Sequence, residues 1–425
     1  MSDTSSDNAQ EGTARRGASP KRRNTYAGTR RAWLTVALAV FAVAWGGNEF
    51  TPMMVFYREE NVFPPVFVDA MLASYAAGIA ISLLISGPLS DRFGRKVVML
   101  PAPIIGLVGS TLIAVGETTE LPMLIGRILS GVSIGIAMSA GGSWVKELSS
   151  PPFEELPPEG AGARRATMAL TGGFAVGALV AGLLAEWGPF PGRLPYIIHI
   201  VLSVGTFMGM VRIPETRQTA HSKVKGSLWS DLAVPSTKHP RFLLAVLPIA
   251  PWVFGAAGVS YAIMPSLAQD HVGPAIAFSA FVTAMALAFG FGAQQIAHRI
   301  IQPHNARGQQ AALLLVIIGM LIAAWTAATT SVIGVILVGA VLGPAYGLAL
   351  ITGLTEVQRI AGPNDLGGLT AVFYVFTYVG FFFPMILTRA SSWFSYPVML
   401  GAGAGMAVLA LIVTTIFSSR YIPKG

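Results

Sequence analysis

Twelve times along this chain an apolar stretch of about 20 residues recurs. The stretches run at 33–57, 67–90, 97–115, 121–144, 166–187, 194–212, 242–267, 273–297, 310–328, 331–355, 368–388 and 394–418. Each is long enough to cross the ~30 Å hydrocarbon core of a bilayer as a helix rising about 1.5 Å per residue. Lipid offers the backbone no hydrogen-bond partners, so each stretch has to satisfy its own amides as a helix. The expected fold class is an all-α membrane protein with twelve transmembrane helices. The narrowest separation falls between the ninth and tenth runs, where only Thr329-Thr330 and their neighbours intervene. Composition agrees, with 53% hydrophobic and only 11% charged residues where soluble domains average about 25% charged.

Lysine and arginine orient the bundle. With the N-terminal tail inside, 24 of the 28 Lys and Arg lie in cytoplasmic segments. The outer loops keep Arg58, Arg193 and Arg389, and Arg127 lies within a span. The bias places both termini in the cytoplasm of a multi-pass protein of the plasma membrane. It also accounts for the net charge of +8, so the bilayer and not nucleic acid is the expected partner of this basic chain. The absence of cysteine excludes disulfides, thiolate nucleophiles and Cys-ligated metals. The six histidines show no metal-ligand spacing. No cluster of nucleophile, base or metal ligands gathers near one leaflet, so no enzyme, catalytic residue, metal or cofactor is expected.

Residues 1–31, rich in Ser, Asp, Gly and Arg, read as a disordered basic cytoplasmic tail. The longest later polar interruption, residues 214–241, splits the spans six and six. That gives an N-terminal bundle over 32–212, a cytoplasmic linker over 213–241, a C-terminal bundle over 242–418 and a short cytoplasmic tail over 419–425. Two parallel six-helix repeats joined by a linker is one of the repeat architectures of transporters.

Between the second and third runs stands GPLSDRFGRK, residues 87–96. Gly87 and Gly94 permit a tight turn and close helix approach. Asp91 sits at a helix end, where it can face the positive N-terminus of another helix. Arg92, Arg95 and Lys96 pin the loop inside and can pair with carboxylates. This stretch resembles the signature between the second and third helices of the major facilitator superfamily, in the same loop. With twelve spans and a central linker, the resemblance covers nearly the whole chain. It implies that the loop, through Asp91, latches two six-helix halves in one state and releases them in another. Arg127 with Gly131 and Gly135 is similar to the family's buried-arginine motif. Pro214-Glu215-Thr216-Arg217 is similar to a short motif that some members carry after the sixth helix. Residues 172–183, GGFAVGALVAGL, resemble the glycine-rich motif of antiporting members, with Ala178 where that motif has proline.

Ionisable side chains inside a membrane mark function by default, since each costs about 2.5–3.5 kcal/mol on insertion scales. Glu49 in WGGNEFTP lies about 12 Å below the outer end of the first run, and Arg127 about 9 Å below the same face. The resemblance implies that the first, fourth, seventh and tenth helices line a central cavity, where the two could pair. Burial and a neighbouring arginine act in opposite senses on a carboxyl group, so Glu49 is suited to proton coupling. A static ion pair between helices is the other reading. His199, on a run that the resemblance makes peripheral, is expected to hydrogen-bond locally or sit near the headgroups. Glu186, at an outer end, is expected to reach water. Asn48, Trp252, Tyr261, Tyr346 and Tyr374 are the candidate lining of a substrate cavity, suited to an amphipathic or lipophilic compound.

The resemblance thus implies a secondary active transporter. The expected activity is proton-coupled export of a small amphipathic organic molecule by alternating access, with protons as coupling ion and a monomer as the working unit. A proton-coupled or facilitative importer of a small metabolite is the alternative. A non-transporting sensor would leave Glu49 and Arg127 without a purpose.

Overall fold

A computed structural model describes residues 31–217, 234–301, 305–362 and 366–421. The tail expected over 1–31 lies outside these residues except for Arg31, as do 218–233 of the linker and 422–425 at the C-terminus. Among the described residues there are helices and no strands. Eleven are long and apolar enough to cross a membrane: α1 Ala32–Glu59, α2 Pro65–Phe93, α3 Arg95–Val115, α4 Glu120–Leu148, α5 Ala161–Trp187, α7 Phe242–Leu267, α8 Ala275–Ile296, α9 Arg307–Thr329, α10 Val332–Ile360, α11 Leu366–Ala390 and α12 Tyr396–Phe417. The shorter apolar α6, Leu194–Met210, completes twelve. The fold is an all-α membrane protein of two parallel six-helix repeats.

Local chemistry explains the narrowest boundary. Thr330 takes a left-handed conformation (φ +47°), which ends α9. The Ser331 side chain then accepts from the Gly334 amide and caps α10. Two residues are enough to reverse a helix when one turns it and the next caps it.

The two repeats pack their matching helices alike. In the first, a Cβ on Gly131 of α4 would overlap the Tyr75 carbonyl of α2. In the second, a Cβ on Gly347 of α10 would overlap the Gly290 carbonyl of α8. Small residues let backbones approach this closely where lipid gives helices no hydrophobic reason to associate.

The halves meet through α2 with α11 and through α5 with α8. Glu186, expected to reach water, is half-buried and also joins the halves. Its Oε2 accepts from the Ile276 and Ala277 amides at the start of α8, at 3.0 and 3.1 Å, where the helix dipole favours a carboxylate. At the Asp91 face a cavity of about 1180 Å³ lies between the halves, lined among others by Gly87, Asp91, Met138, Lys146, Gly368 and Tyr374.

Candidate functional site

The WGGNEFTP segment is built around two glycines. A Cβ on Gly46 would overlap the His199 ring of α6, and one on Gly47 would stand 2.7 Å from the Tyr75 hydroxyl. The pair therefore clears space for a histidine on one side of α1 and a tyrosine on the other. Pro52 lacks the N–H that would bond the Asn48 carbonyl, and the helical ladder loosens at Glu49, between the segments Ala32–Asn48 and Phe50–Glu59. Asn48 adapts to that break. It donates to the Phe174 carbonyl of α5 at 3.0 Å and accepts from the Thr51 hydroxyl at 2.6 Å.

Glu49 is completely buried. Its Oε1 accepts from the Ser110 hydroxyl of α3 at 3.0 Å. Ser110 Oγ in turn lies 2.7 Å from His199 Nδ1, and Nδ1 lies 3.8 Å from the same carboxylate oxygen. The far ring nitrogen, Nε2, is 3.2 Å from Ser203 Oγ. Among the described residues Glu49 Oε2 has no hydrogen-bond partner. Glu49 thus turns inward, toward α3 and α6, where hydroxyl and imidazole groups can satisfy it. Sequence reasoning placed it facing the space between the halves and left His199 to local bonding or the headgroups.

Arg127 is also sealed, at 1% exposure. Its guanidinium is held between two rings, 4.5 Å from the centroid of Phe50 and 4.4 Å from that of Tyr75. Its Nε and Nη1 each lie 3.4 Å from a carbonyl, those of Met71 and Gly47. Backbone carbonyls and aromatic faces, rather than the Glu49 carboxylate, make up its first neighbours. Tyr75 is 6.5 Å from Phe381 of α11. Phe381 and Tyr378 stack on Phe254 of α7 at 4.7 and 4.4 Å, and the Tyr378 hydroxyl donates to Met138 Sδ of α4 at 3.3 Å. An aromatic layer therefore runs from the arginine stack into the other half.

Of the five residues expected to line substrate space, Tyr374 lines the cavity. Asn48, Trp252, Tyr261 and Tyr346 are buried instead in helix packing. Trp252 meets Phe383 edge-on at 5.8 Å. Tyr261 lies in the π-helical stretch Val259–Ile263, and Tyr346 covers Gly290. An aromatic stripe cannot by itself reveal which seam it fills. Sequence reasoning passed over Phe254, Phe381, Ser110 and Asp69. A polar residue inside an apolar run was the available signal for the last two.

The loop at the Asp91 face forms one charged network. Gly87 lies inside α2, with open space where a Cβ would stand, so it is not part of the turn. Gly94 alone makes the turn, at φ +107°. Glu215, after α6, accepts from the Arg95 and Lys96 amides at 3.0 and 2.9 Å, and so caps the start of α3. Arg95 bonds Asp91 and Glu147, each at 2.9 Å. Arg217 lies 3.6 Å from Asp91. Lys96 Nζ donates to the Val211 carbonyl at 2.8 Å. Arg92 lines the cavity. Asp91 thus binds Arg95 of its own half and Arg217 of the linker, while Gly367 and Gly368 of α11 line the same cavity.

Twelve membrane helices in two like repeats, with a cavity between the halves and charged side chains buried within them, define a polytopic membrane transporter. The model of the Major Facilitator Superfamily matches residues 34–385, and the chain belongs to that family, whose members are transporters and not enzymes. Multidrug resistance protein 1 of Bacillus subtilis is 26% identical over 226 residues, 49% of this chain and 53% of its own length. The human proton myo-inositol cotransporter is 24% identical over 180 residues, 42% of this chain and 27% of its own. The chain thus spans about half the length of the first of these relatives and about a quarter of the second. A POT-family transporter solved with 5-aminolevulinic acid shares the fold at a TM-score of 0.73 and 10% identity, covering 93% of this chain and 97% of that one.

Proposed function

We propose that the protein exports a small amphipathic organic compound from the cytoplasm in exchange for protons. Working as a monomer in the plasma membrane, it carries its termini and the Asp91 face on the cytoplasmic side. Bundles 32–212 and 242–418 rock about the cavity by alternating access, and the loop around Asp91 acts as the latch. Glu49 is the proton carrier and Arg127 its charged neighbour. The observation that carries this reading is a fully buried carboxyl group with one oxygen unpartnered among the described residues; ionised, it costs several kcal/mol there, a cost that taking up a proton relieves. The multidrug relative supports export, and the mixed lining of the cavity suits an amphipathic solute.

A proton-driven importer is the second reading. The name of the myo-inositol cotransporter and Ala178, where antiporters of the family carry proline, favour it. Transport into inverted vesicles under an imposed pH gradient, against a panel of compounds, separates the two. Uptake driven by an acid interior supports export. Movement down the proton gradient in the same direction as the proton supports import.

A further inference from the structure

We propose that Ser110 and His199 complete the proton site, forming with Glu49 one relay inside the N-terminal bundle, set apart from the substrate cavity. The inference deepens the proposed coupling role of Glu49 and rests on that reading for its part in transport. Three helices supply the groups, with Glu49 on α1, Ser110 on α3 and His199 on α6, and all three side chains are sealed, at 0, 0 and 1% exposure. None of them lines the cavity at the Asp91 face. The space for the imidazole is made by Gly46, whose Cβ would overlap the ring.

The hydrogen-bond arithmetic permits two arrangements. Ser110 has one hydroxyl proton and two neighbours that can accept it, Glu49 Oε1 and His199 Nδ1. When Glu49 is protonated, its O–H donates to Ser110, Ser110 donates to Nδ1, and Nε2–H donates to Ser203. When Glu49 is ionised, Nδ1–H donates to Ser110 and Ser110 donates to the carboxylate. The step between them is balanced. The Glu49 proton passes to Ser110 Oγ as the Ser110 proton passes to Nδ1, leaving a carboxylate and an imidazolium. Water that reaches Nε2 as the helices move takes its proton, and Ser203 Oγ remains the hydrogen-bond partner of that nitrogen. The charged and titratable groups that face the cluster are Arg127 from α4, Tyr75 from α2, Tyr57 from α1 and Tyr196 from α6. Glu117, at the far end of α3, is paired with Arg193 at 2.8 Å. Protonation changes how α1 is tied to α3 and α6, so the proton acts on substrate through helix position and not by competing for its place.

Imidazole ¹⁵N NMR on the full chain in lipid nanodiscs tests the relay without any substrate, the His199 signals being assigned by their loss in His199→Gln. In the wild type they should pass from the Nε2–H to the Nδ1–H form or the imidazolium as pH is varied. In Glu49→Gln, whose amide has no proton to give up, they should lose the change of tautomer with pH. The carboxyl C=O stretch assigned by Glu49→Gln should titrate about one pH unit, or tenfold in proton concentration, away from wild type in His199→Gln. Ser110→Thr should keep the wild-type titration. Identical His199 signals in wild type and Glu49→Gln, or an unmoved carboxyl titration in His199→Gln, overturns the relay even if Glu49 still drives transport. Responsive spectra with normal gradient-driven transport by Glu49→Gln would leave the relay standing and remove the coupling role.

Discussion

Arg58 and Asp69 form an ion pair that is nearly sealed from solvent, the guanidinium 9% exposed and the carboxylate not at all. The pair ties the end of α1 to the start of α2 on the face opposite Asp91. Arg58 Nη1 also reaches the Ala262 carbonyl of α7 at 3.4 Å, across the interface between the halves. Ala262 lies in the π-helical stretch Val259–Ile263, where widened turns leave carbonyls less fully engaged.

Breaking this pair should open that face. Removing one partner of a buried pair costs about 3–5 kcal/mol, because the other charge stays buried. Asp69→Asn should therefore lower the melting temperature and weaken closure against α7. The chain has no native cysteine, so Ala262→Cys, buried at 2% in the intact protein, gives a clean probe. Its labelling by a water-soluble maleimide should rise severalfold in Asp69→Asn. Equal labelling in both backgrounds would mean that the pair is only a local brace.

Asp91 and Glu215 should differ when each is neutralised. The Asp91 side chain is 53% exposed where it meets Arg95 and Arg217, and such pairs contribute about 0.2–1 kcal/mol. Asp91→Asn should leave insertion and melting temperature almost unchanged while lowering transport at least about tenfold, the signature expected of a latch. Glu215 instead accepts from the backbone amides of Arg95, Lys96, Thr216 and Arg217. Glu215→Gln weakens four bonds at once and should reduce folded yield. Wild-type turnover in Asp91→Asn would reduce the loop to a signal for topology.

Backbone approach predicts which glycines are irreplaceable. At Gly131 and Gly347 a methyl group would overlap a carbonyl oxygen of the neighbouring helix, and a backbone cannot step aside as a side-chain tip can. Gly131→Ala and Gly347→Ala should each cut the monodisperse yield in detergent. At Gly205 nothing lies within 4 Å of a Cβ, and Gly205→Ala should behave as wild type or slightly better, given the helix propensity of alanine. Equal yields for all three would show that α2–α4 and α8–α10 can separate at little cost.

The twelve helices were legible because a bilayer demands one simple pattern, a long apolar run, and the run is local in sequence. Even the crowded step at Thr329-Thr330 could be read, since one left-handed residue and one capping serine fit into it. The placement of Glu49 and Arg127 inside the N-terminal half was legible only as depth. Which way each side chain turns depends on partners brought by other helices, Ser110 and His199 for one, Phe50, Tyr75 and two backbone carbonyls for the other. His199 was read as bonding locally, and it does meet Ser203 one turn away; that Ser110 also meets its ring was not legible, because Ser110 comes from another helix. The glycine at 46 that makes room for its ring carries no signal of that purpose in one sequence. Asp69 was overlooked for a related reason, since its partner Arg58 counted as part of an outer loop.

Arg127 should prove replaceable neither by an apolar residue nor by lysine. Its guanidinium lies flat between Phe50 and Tyr75 while reaching the Gly47 and Met71 carbonyls. A lysine keeps the charge but is a compact point donor without a planar face, and it cannot fill the stack and reach both carbonyls. Arg127→Lys should therefore lose most of the gradient-driven transport, whereas Tyr75→Phe, which keeps the ring face, should retain most of it. Arg127→Met separates packing from charge. It removes positive charge near Glu49, so the carboxyl gives up its proton only at higher pH than in the wild type. The pH profile of proton-driven transport should accordingly move upward in Arg127→Met. In the double variant with Glu49→Gln the pH-driven component should be absent altogether. A downward or absent shift in Arg127→Met, with the protein folded and inserted, would show that Arg127 stabilises the aromatic layer through Tyr75 and Phe381 and has no part in the proton's affinity.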